Sequence, residues 1–133
     1  MKQATSRKAL QTVIAVSAAA PLLSGLVGLS GIFNPLFLQK LPENTLLDTN
    51  LRFLNAMSVA VGLAFYFIIP VIEKETFACR ALCATIIFGG IGRLISIFDL
   101  GKPPGIVLVF MAVELSVPVL IIFWQKRLAR QQN

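Results

Sequence analysis

Two long stretches without a charged residue limit the folds open to this chain more than any other feature. No side chain from Ala9 to Gln39 or from Phe53 to Ile72 carries a charge. The later runs Phe77–Phe98 and Ile106–Trp124 are also mostly apolar. About 20 apolar residues in a helix cross the roughly 30 Å hydrocarbon core of a bilayer. The pattern therefore predicts an all-α integral membrane protein.

The overall composition excludes a soluble domain. Hydrophobic residues make up 56% of the 133 residues, and charged residues only 14%. A soluble domain of this size has too much surface to cover with so few charges. We therefore predict one domain, residues 1–133, folded as a four-helix bundle. Its helices are expected at about 9–31, 50–72, 77–98 and 104–124, and capping residues at Asp48–Asn50 are expected to start the second.

The positions of the cations predict the topology. Eight of them lie in the two tails and the middle loop, whereas the other two loops contain only Lys40 and Lys102. Cytoplasmic loops are enriched in lysine and arginine, so both termini are expected in the cytoplasm of a bacterium, with the chain crossing the inner membrane several times. The net charge of +6 then suits anionic membrane lipid as a partner, and nucleic acid is not expected.

A few charged residues inside or beside the apolar runs form the candidate site. Arg93 lies in the third run, and Glu114 is the one acid within the last run. Ionisable groups in a membrane usually pair with one another and often mark functional sites, so we predict that these two residues meet. The predicted topology gathers further polar residues in the outer half of the bundle. The candidate set is Arg52, Asn55, Arg93, Ser96, Asp99 and Glu114.

The same residues also fit a purely structural interpretation. An Arg93–Glu114 pair could hold two helices in register, with Arg52 and Asp99 closing the outer rim. Buried ion pairs occur as such specificity devices without any chemistry. The sequence leaves both interpretations open.

Small residues and prolines predict where helices come close or bend. Gly28 continues a row with Ala20 and Ser24, and Gly89 and Gly92 lie on the same face as Arg93. Such residues let helices approach closely or leave room for a ligand. Pro118 follows Glu114 by four residues and cannot donate a hydrogen bond to its carbonyl.

The residue types give no support for catalysis or metal binding. Histidine is absent, and the two cysteines, Cys79 and Cys83, lie four residues apart as expected for small buried side chains of one helix face. A zinc site needs more ligands than these. We therefore predict no catalytic residue, no metal and no cofactor, and favour a protein that is not an enzyme, with an enzyme left open.

Several short segments in order resemble a known family. They are Asn50-Leu51-Arg52-Phe53, Gly89-Gly90-Ile91-Gly92-Arg93, Asp99 with Gly101 and Pro103, and Glu114 with Pro118. From Ala9 to Trp124 the chain resembles a bacterial family of small four-helix inner-membrane proteins, classed as a domain of unknown function and distantly similar to DoxX-type proteins. The resemblance implies a compact membrane bundle and no catalytic residue.

Three functions remain as hypotheses. The first is a non-enzymatic protein that binds a small amphiphile or a membrane-protein partner through the charged cluster. The second is a proton-coupled transporter that uses Glu114, and the third is a membrane enzyme acting on lipids or quinones. Small multidrug exporters also contain one membrane glutamate, but theirs is in the first helix and this one is in the last. A homo-oligomer is left open.

Overall fold

Four long helices account for most of the chain, which the computed structural model describes at residues 2–37 and 39–130. They are α1 (Lys2–Gly28), α2 (Thr45–Ile68), α3 (Thr76–Leu100) and α4 (Gly105–Ala129). The described residues contain no strand. The predicted all-α class with four helices of membrane length is confirmed. The predicted domain 1–133 also includes Met1, Leu38 and residues 131–133, which lie outside the described residues.

Each helix, with α2 extended by the 3-10 turn Ile69–Val71, provides a segment long and apolar enough to cross a membrane. The four segments have 25 to 27 residues, or about 37–40 Å at 1.5 Å per residue, which exceeds a hydrocarbon core of about 30 Å. The helix bounds differ from the predicted ones. The second helix begins at Thr45 because the side chain and carbonyl of Asn44 accept hydrogen bonds from Leu47 N and Asp48 N. The last helix continues to Ala129, five residues beyond the predicted end.

Contacts divide the chain into two compact units. We call residues 15–67 the hairpin unit, and residues 2–14 with 68–130 the terminal unit. The first part of α1 therefore belongs to the terminal unit and the second part to the hairpin unit. The prediction of a single domain stays a prediction.

Small residues bring α1 and α2 together in the hairpin unit. A Cβ atom added at Gly62 would lie 2.8 Å from Leu22 Cβ and 3.1 Å from the carbonyl oxygen of Ala18. One added at Gly25 would lie 2.7 Å from the carbonyl oxygen of Asn55. Such close approach of backbones is typical of helix pairs in lipid. The predicted role of Gly28 fits, since it is buried against Asn55, but Ala20 and Ser24 of the predicted row are exposed.

A tyrosine strengthens the same helix pair. Tyr66 Oη donates a 2.9 Å hydrogen bond to the carbonyl oxygen of Ala15. Side-chain hydrogen bonds between membrane helices contribute about 0.6 kcal/mol on average. We expect Tyr66→Phe to lower the free energy of unfolding by about that amount, as measured by thermal unfolding in detergent followed by circular dichroism. The exposed Phe67→Leu substitution is the control, and equal stability of both variants would contradict a role for the hydroxyl group.

The core of the terminal unit lies at one end, where α1 and α3 begin and α4 ends. We call it the basic end, because Lys126, Arg127 and Arg130 belong to it. The buried apolar side chains of this unit cluster there: Leu10, Ile14, Ile72, Cys79, Cys83, Ile121 and Leu128. The two cysteines are fully buried and free, as the sequence predicted. Burial of these apolar side chains stabilises the terminal unit at this end.

Side chains also bind the connection between α2 and α3 at the basic end. Arg7 forms a 2.9 Å ion pair with the buried Glu73 and donates to the carbonyl oxygen of Pro70. Gln125, which is fully buried, donates through Nε2 to the carbonyl oxygen of Ile72 and to Thr76 Oγ1. These bonds explain why α4 continues past its predicted end: its last two turns supply buried partners for this connection.

Candidate functional site

An ion pair joins the two helices of the α3–α4 hairpin inside their apolar segments. Arg93 Nε lies 2.9 Å from Glu114 Oε2, and the side chains are 46% and 25% exposed. Arg93 comes seven residues before the end of α3 and Glu114 nine residues after the start of α4. At 1.5 Å per residue the two lie about 10 Å and 13 Å from the connected helix ends. The predicted meeting of these residues is therefore present.

One glycine allows this meeting. A Cβ atom at Gly90 would lie 2.9 Å from Leu115 Cδ2 and 3.2 Å from Glu114 Cβ. Gly90 is buried, so α4 packs directly over its backbone. Arg93 follows Gly90 by three residues and so projects from the same side of α3. The absence of a side chain at Gly90 thus brings the carboxylate within reach of the guanidinium group.

The two glycines chosen from the sequence are in a different situation. A Cβ atom at Gly89 or Gly92 would meet no atom within 4 Å in the described part of the chain. Both residues are exposed. Helix packing at these positions stays a prediction, because nothing within the described residues packs there. What the structure contains is a bare strip of α3 backbone in the turn beside Arg93.

The surroundings of the pair are open as a whole. No residue from 91 to 117, which we call the far half of the hairpin, is buried. Ser96 and Asp99 are exposed there, and neither side chain forms a hydrogen bond to a described residue. The structure thus brings together Arg93 and Glu114 of the predicted set, whereas Ser96 and Asp99 lie on the same helix without joining the pair.

Pro118 lies within α4 and marks the buried boundary of the far half. Proline has no N–H group, so the carbonyl oxygen of Glu114 lacks the helical donor that residue 118 would supply. The acid at position 114 therefore has both a carboxylate and a carbonyl oxygen available for polar contacts. Its backbone can accept a hydrogen bond from water or a ligand.

The remaining two predicted site residues have structural partners in the hairpin unit. Arg52 pairs with Asp48 at 2.8 Å and donates to the carbonyl oxygens of Leu29 and Ser30, where α1 ends. Basic side chains commonly satisfy the last carbonyl groups of a helix. Asn55 donates to Leu51 O of its own helix and packs against α1. Arg52 thus has its carboxylate partner within α2, and the rim formed with Asp99 in the structural interpretation of the sequence stays a prediction.

The conformation of the chain after α1 explains why Asp48 and Arg52 are placed there. Gly31 has φ +71°, a left-handed value that favours glycine. The chain turns at this residue, and Asp48 Oδ1 accepts a 3.1 Å hydrogen bond from Ile32 N. Asp48 and Arg52, four residues apart on α2, therefore bind the chain on both sides of Gly31.

Two other features of the terminal unit bear on ligands. A shallow cleft of about 500 Å³ at the basic end is lined by Phe123, Lys126, Arg127 and Arg130. No ion pair joins any of the three cations to a described residue. The described residues also contain no group of three or more histidine, cysteine, aspartate or glutamate side chains that could hold a metal ion.

The comparison with known families identifies the chain. A family model described as a domain of unknown function, DUF4345, matches residues 9–125. The chain belongs to the DUF4345 family. No curated protein and no solved structure matches this DUF4345 chain. The resemblance to a membrane family of unknown function is thereby confirmed, and the likeness to DoxX-type proteins stays a prediction.

Sequence reasoning missed three groups of residues in this DUF4345 protein. Gly90 was left out of the predicted packing face, although it lies three residues before Arg93 and so shares the side of α3 that must meet Glu114. Asp48 was interpreted only as a cap. The buried partners Glu73 and Gln125 had no signal, since both lie among charged residues at a helix end.

Proposed function

We propose that this DUF4345 protein is a non-enzymatic membrane protein that binds a small amphiphile at the Arg93–Glu114 pair. The observation that carries the proposal is the ion pair beside the bare backbone of Gly89 and Gly92 in an uncovered half of a membrane-length hairpin. An ionisable pair at this depth is costly to keep in lipid and usually serves a function. The open strip offers space where a side chain would otherwise lie.

The geometry favours binding over the two alternatives. A general acid or base needs a second reactive group within hydrogen-bond reach, and no other charged group among the described residues is bonded to the pair. A proton carrier needs a further group to pass its proton to, and among the described residues only Arg93 is bonded to the Glu114 carboxylate. Binding requires only the polar contacts and the space that the far half contains.

The proposed location follows from the cations. We expect the basic end to face the cytoplasm of a bacterium and the chain to cross its inner membrane, with both termini inside. The cations Lys126, Arg127 and Arg130, which form no ion pair with a described residue, then lie beside anionic headgroups. Phe123 precedes the first of them, Lys126, by three residues and suits the boundary between headgroups and acyl chains. We propose membrane lipid as a partner at this end.

Retention of an amphiphile by gently purified protein tests the proposed function. Wild-type protein extracted in mild detergent should keep a bound amphiphile in native mass spectrometry, at about one molecule per chain. Gly89→Leu should fill the open strip and abolish this retention while leaving the ion pair in place. Ala81→Leu, at an exposed position two turns earlier on α3, is the matched control and should retain the ligand.

Three other outcomes would contradict the proposal. Absence of any retained amphiphile from the wild type and equal retention by Gly89→Leu both count against this site. Acid-driven uptake of a small molecule into proteoliposomes that disappears in Glu114→Gln would favour the transporter instead.

A further inference from the structure

We infer that the Arg93–Glu114 site selects a neutral amphiphile whose head presents a carbonyl group as a hydrogen-bond acceptor. This inference rests on the proposed function, since it names the ligand class of the same site. Three features carry it: the unused donors of Arg93, the zero net charge of the pair, and its depth.

The first feature is the set of free donors on Arg93. A guanidinium group has five N–H donors, and only the one on Nε is engaged, with Glu114 Oε2. The N–H groups on Nη1 and Nη2 donate to no described residue. Unsatisfied donors in an apolar medium are costly, so a ligand that accepts hydrogen bonds there is favoured.

The second feature is the charge balance. Arg93 and Glu114 sum to zero, so an anionic ligand would leave one uncompensated negative charge, and a cationic one an uncompensated positive charge. Interactions between charges are strong and poorly screened in a membrane. The other charged residue in this part of α3, Asp99, lies six residues further on, at the end of the helix, and so about 9 Å away along its axis. A neutral head keeps the balance that the pair establishes.

The third feature is depth. The pair lies about 10 Å or more from the connected ends of α3 and α4. Phosphate and zwitterionic headgroups would have to leave water to reach it, which is unfavourable. An ester or ketone group loses far less hydration than an ion. Its carbonyl oxygen can accept hydrogen bonds from the free edge of Arg93.

The backbone next to Arg93 completes the site. Gly89 precedes Arg93 by four residues and so lies on the same side of α3. A Cβ atom there would meet no described atom within 4 Å. An acyl chain can lie along this bare backbone with its head beside the guanidinium group. Thr85, one turn before Gly89, donates a hydrogen bond from its hydroxyl group to Ala81 O and so adds no free donor.

Three probes of equal chain length test the ligand class: methyl myristate, myristate and tetradecane. Each is added to the purified full-length protein in detergent, and its binding is measured by native mass spectrometry. Methyl myristate is expected to bind about tenfold or more tightly than either of the others, because only it offers a neutral acceptor. In the Arg93→Leu/Glu114→Leu double variant, its advantage over tetradecane should disappear.

The other outcomes show whether only the ligand class is wrong or the proposed function is wrong as well. Tighter binding of myristate, or equal binding of tetradecane, would overturn the ligand class while leaving a Gly89-dependent site intact. Binding of no probe, or binding unaffected by Gly89→Leu, would overturn the proposed function as well. A dimer that Gly89→Leu dissociates would mean that a second copy covers this face, and would overturn both.

Discussion

Replacing Glu114 alone with leucine should lower the free energy of unfolding by about 3 kcal/mol, and replacing Arg93 alone by somewhat less. Either change leaves an unpaired charge within an apolar helix. The effect is larger for Glu114→Leu because it leaves all five N–H donors of the guanidinium group without a described acceptor, whereas Arg93→Leu leaves only the two carboxylate oxygens without a donor. The Arg93→Leu/Glu114→Leu double variant should recover most of the loss.

The single tryptophan provides the measurement. Trp124 donates a hydrogen bond to Ser6 Oγ within the terminal unit, so its fluorescence reports whether α1 and α4 remain in contact. Unfolding in mixed micelles with a rising fraction of denaturing detergent gives the four free energies of a double-mutant cycle. Lys102→Leu, an exposed cation between α3 and α4, is the control and should change stability by less than about 0.5 kcal/mol. Additive losses in the double variant would show that the two side chains are not coupled.

The cycle also bears on the structural interpretation of the pair. If the pair only holds the two helices in register, a stable double variant should keep its ligand binding unchanged. A binding site predicts that the same stable protein no longer distinguishes an ester from a hydrocarbon. Stability and selectivity are therefore measured on one variant, and their separation decides between the two interpretations.

The four helices and the Arg93–Glu114 pair could be predicted because charged residues are scarce in the apolar runs. Long runs without charge have one plausible environment, and an isolated cation in such a run has few partners. Glu114 was the one acid of the last run, so the pairing needed no knowledge of helix rotation. The depth of both residues followed from counting along the helices.

The positions of Arg52 and the glycines could not be predicted, for a different reason. Arg52 binds carbonyl groups that become free only because α1 ends at Gly28, and the sequence placed that end three residues later. Gly89, Gly90 and Gly92 lie within one turn of α3, so any of them could have faced α4. The choice depends on contacts with Leu115, which no local pattern records.

A second large loss of stability is expected when the buried Gly90 is replaced. Gly90→Leu should lower the free energy of unfolding by about 3 kcal/mol, because overpacking a helix contact typically costs 1–3 kcal/mol and separation of the helices also weakens the ion pair. The first atoms displaced are Leu115 Cδ2 and Glu114 Cβ. Trp124 fluorescence in mixed micelles again measures the change.

Gly89→Leu is the matched control, since it adds the same side chain one residue earlier. It has open space within 4 Å, and replacing glycine in a helix gains up to about 1 kcal/mol, so its stability should equal or exceed that of the wild type. A gap of about 3 kcal/mol between the two variants would follow from α4 packing on Gly90 alone. Equal losses would mean that both glycines face a neighbour, and the bare strip required for a ligand beside Arg93 would not exist.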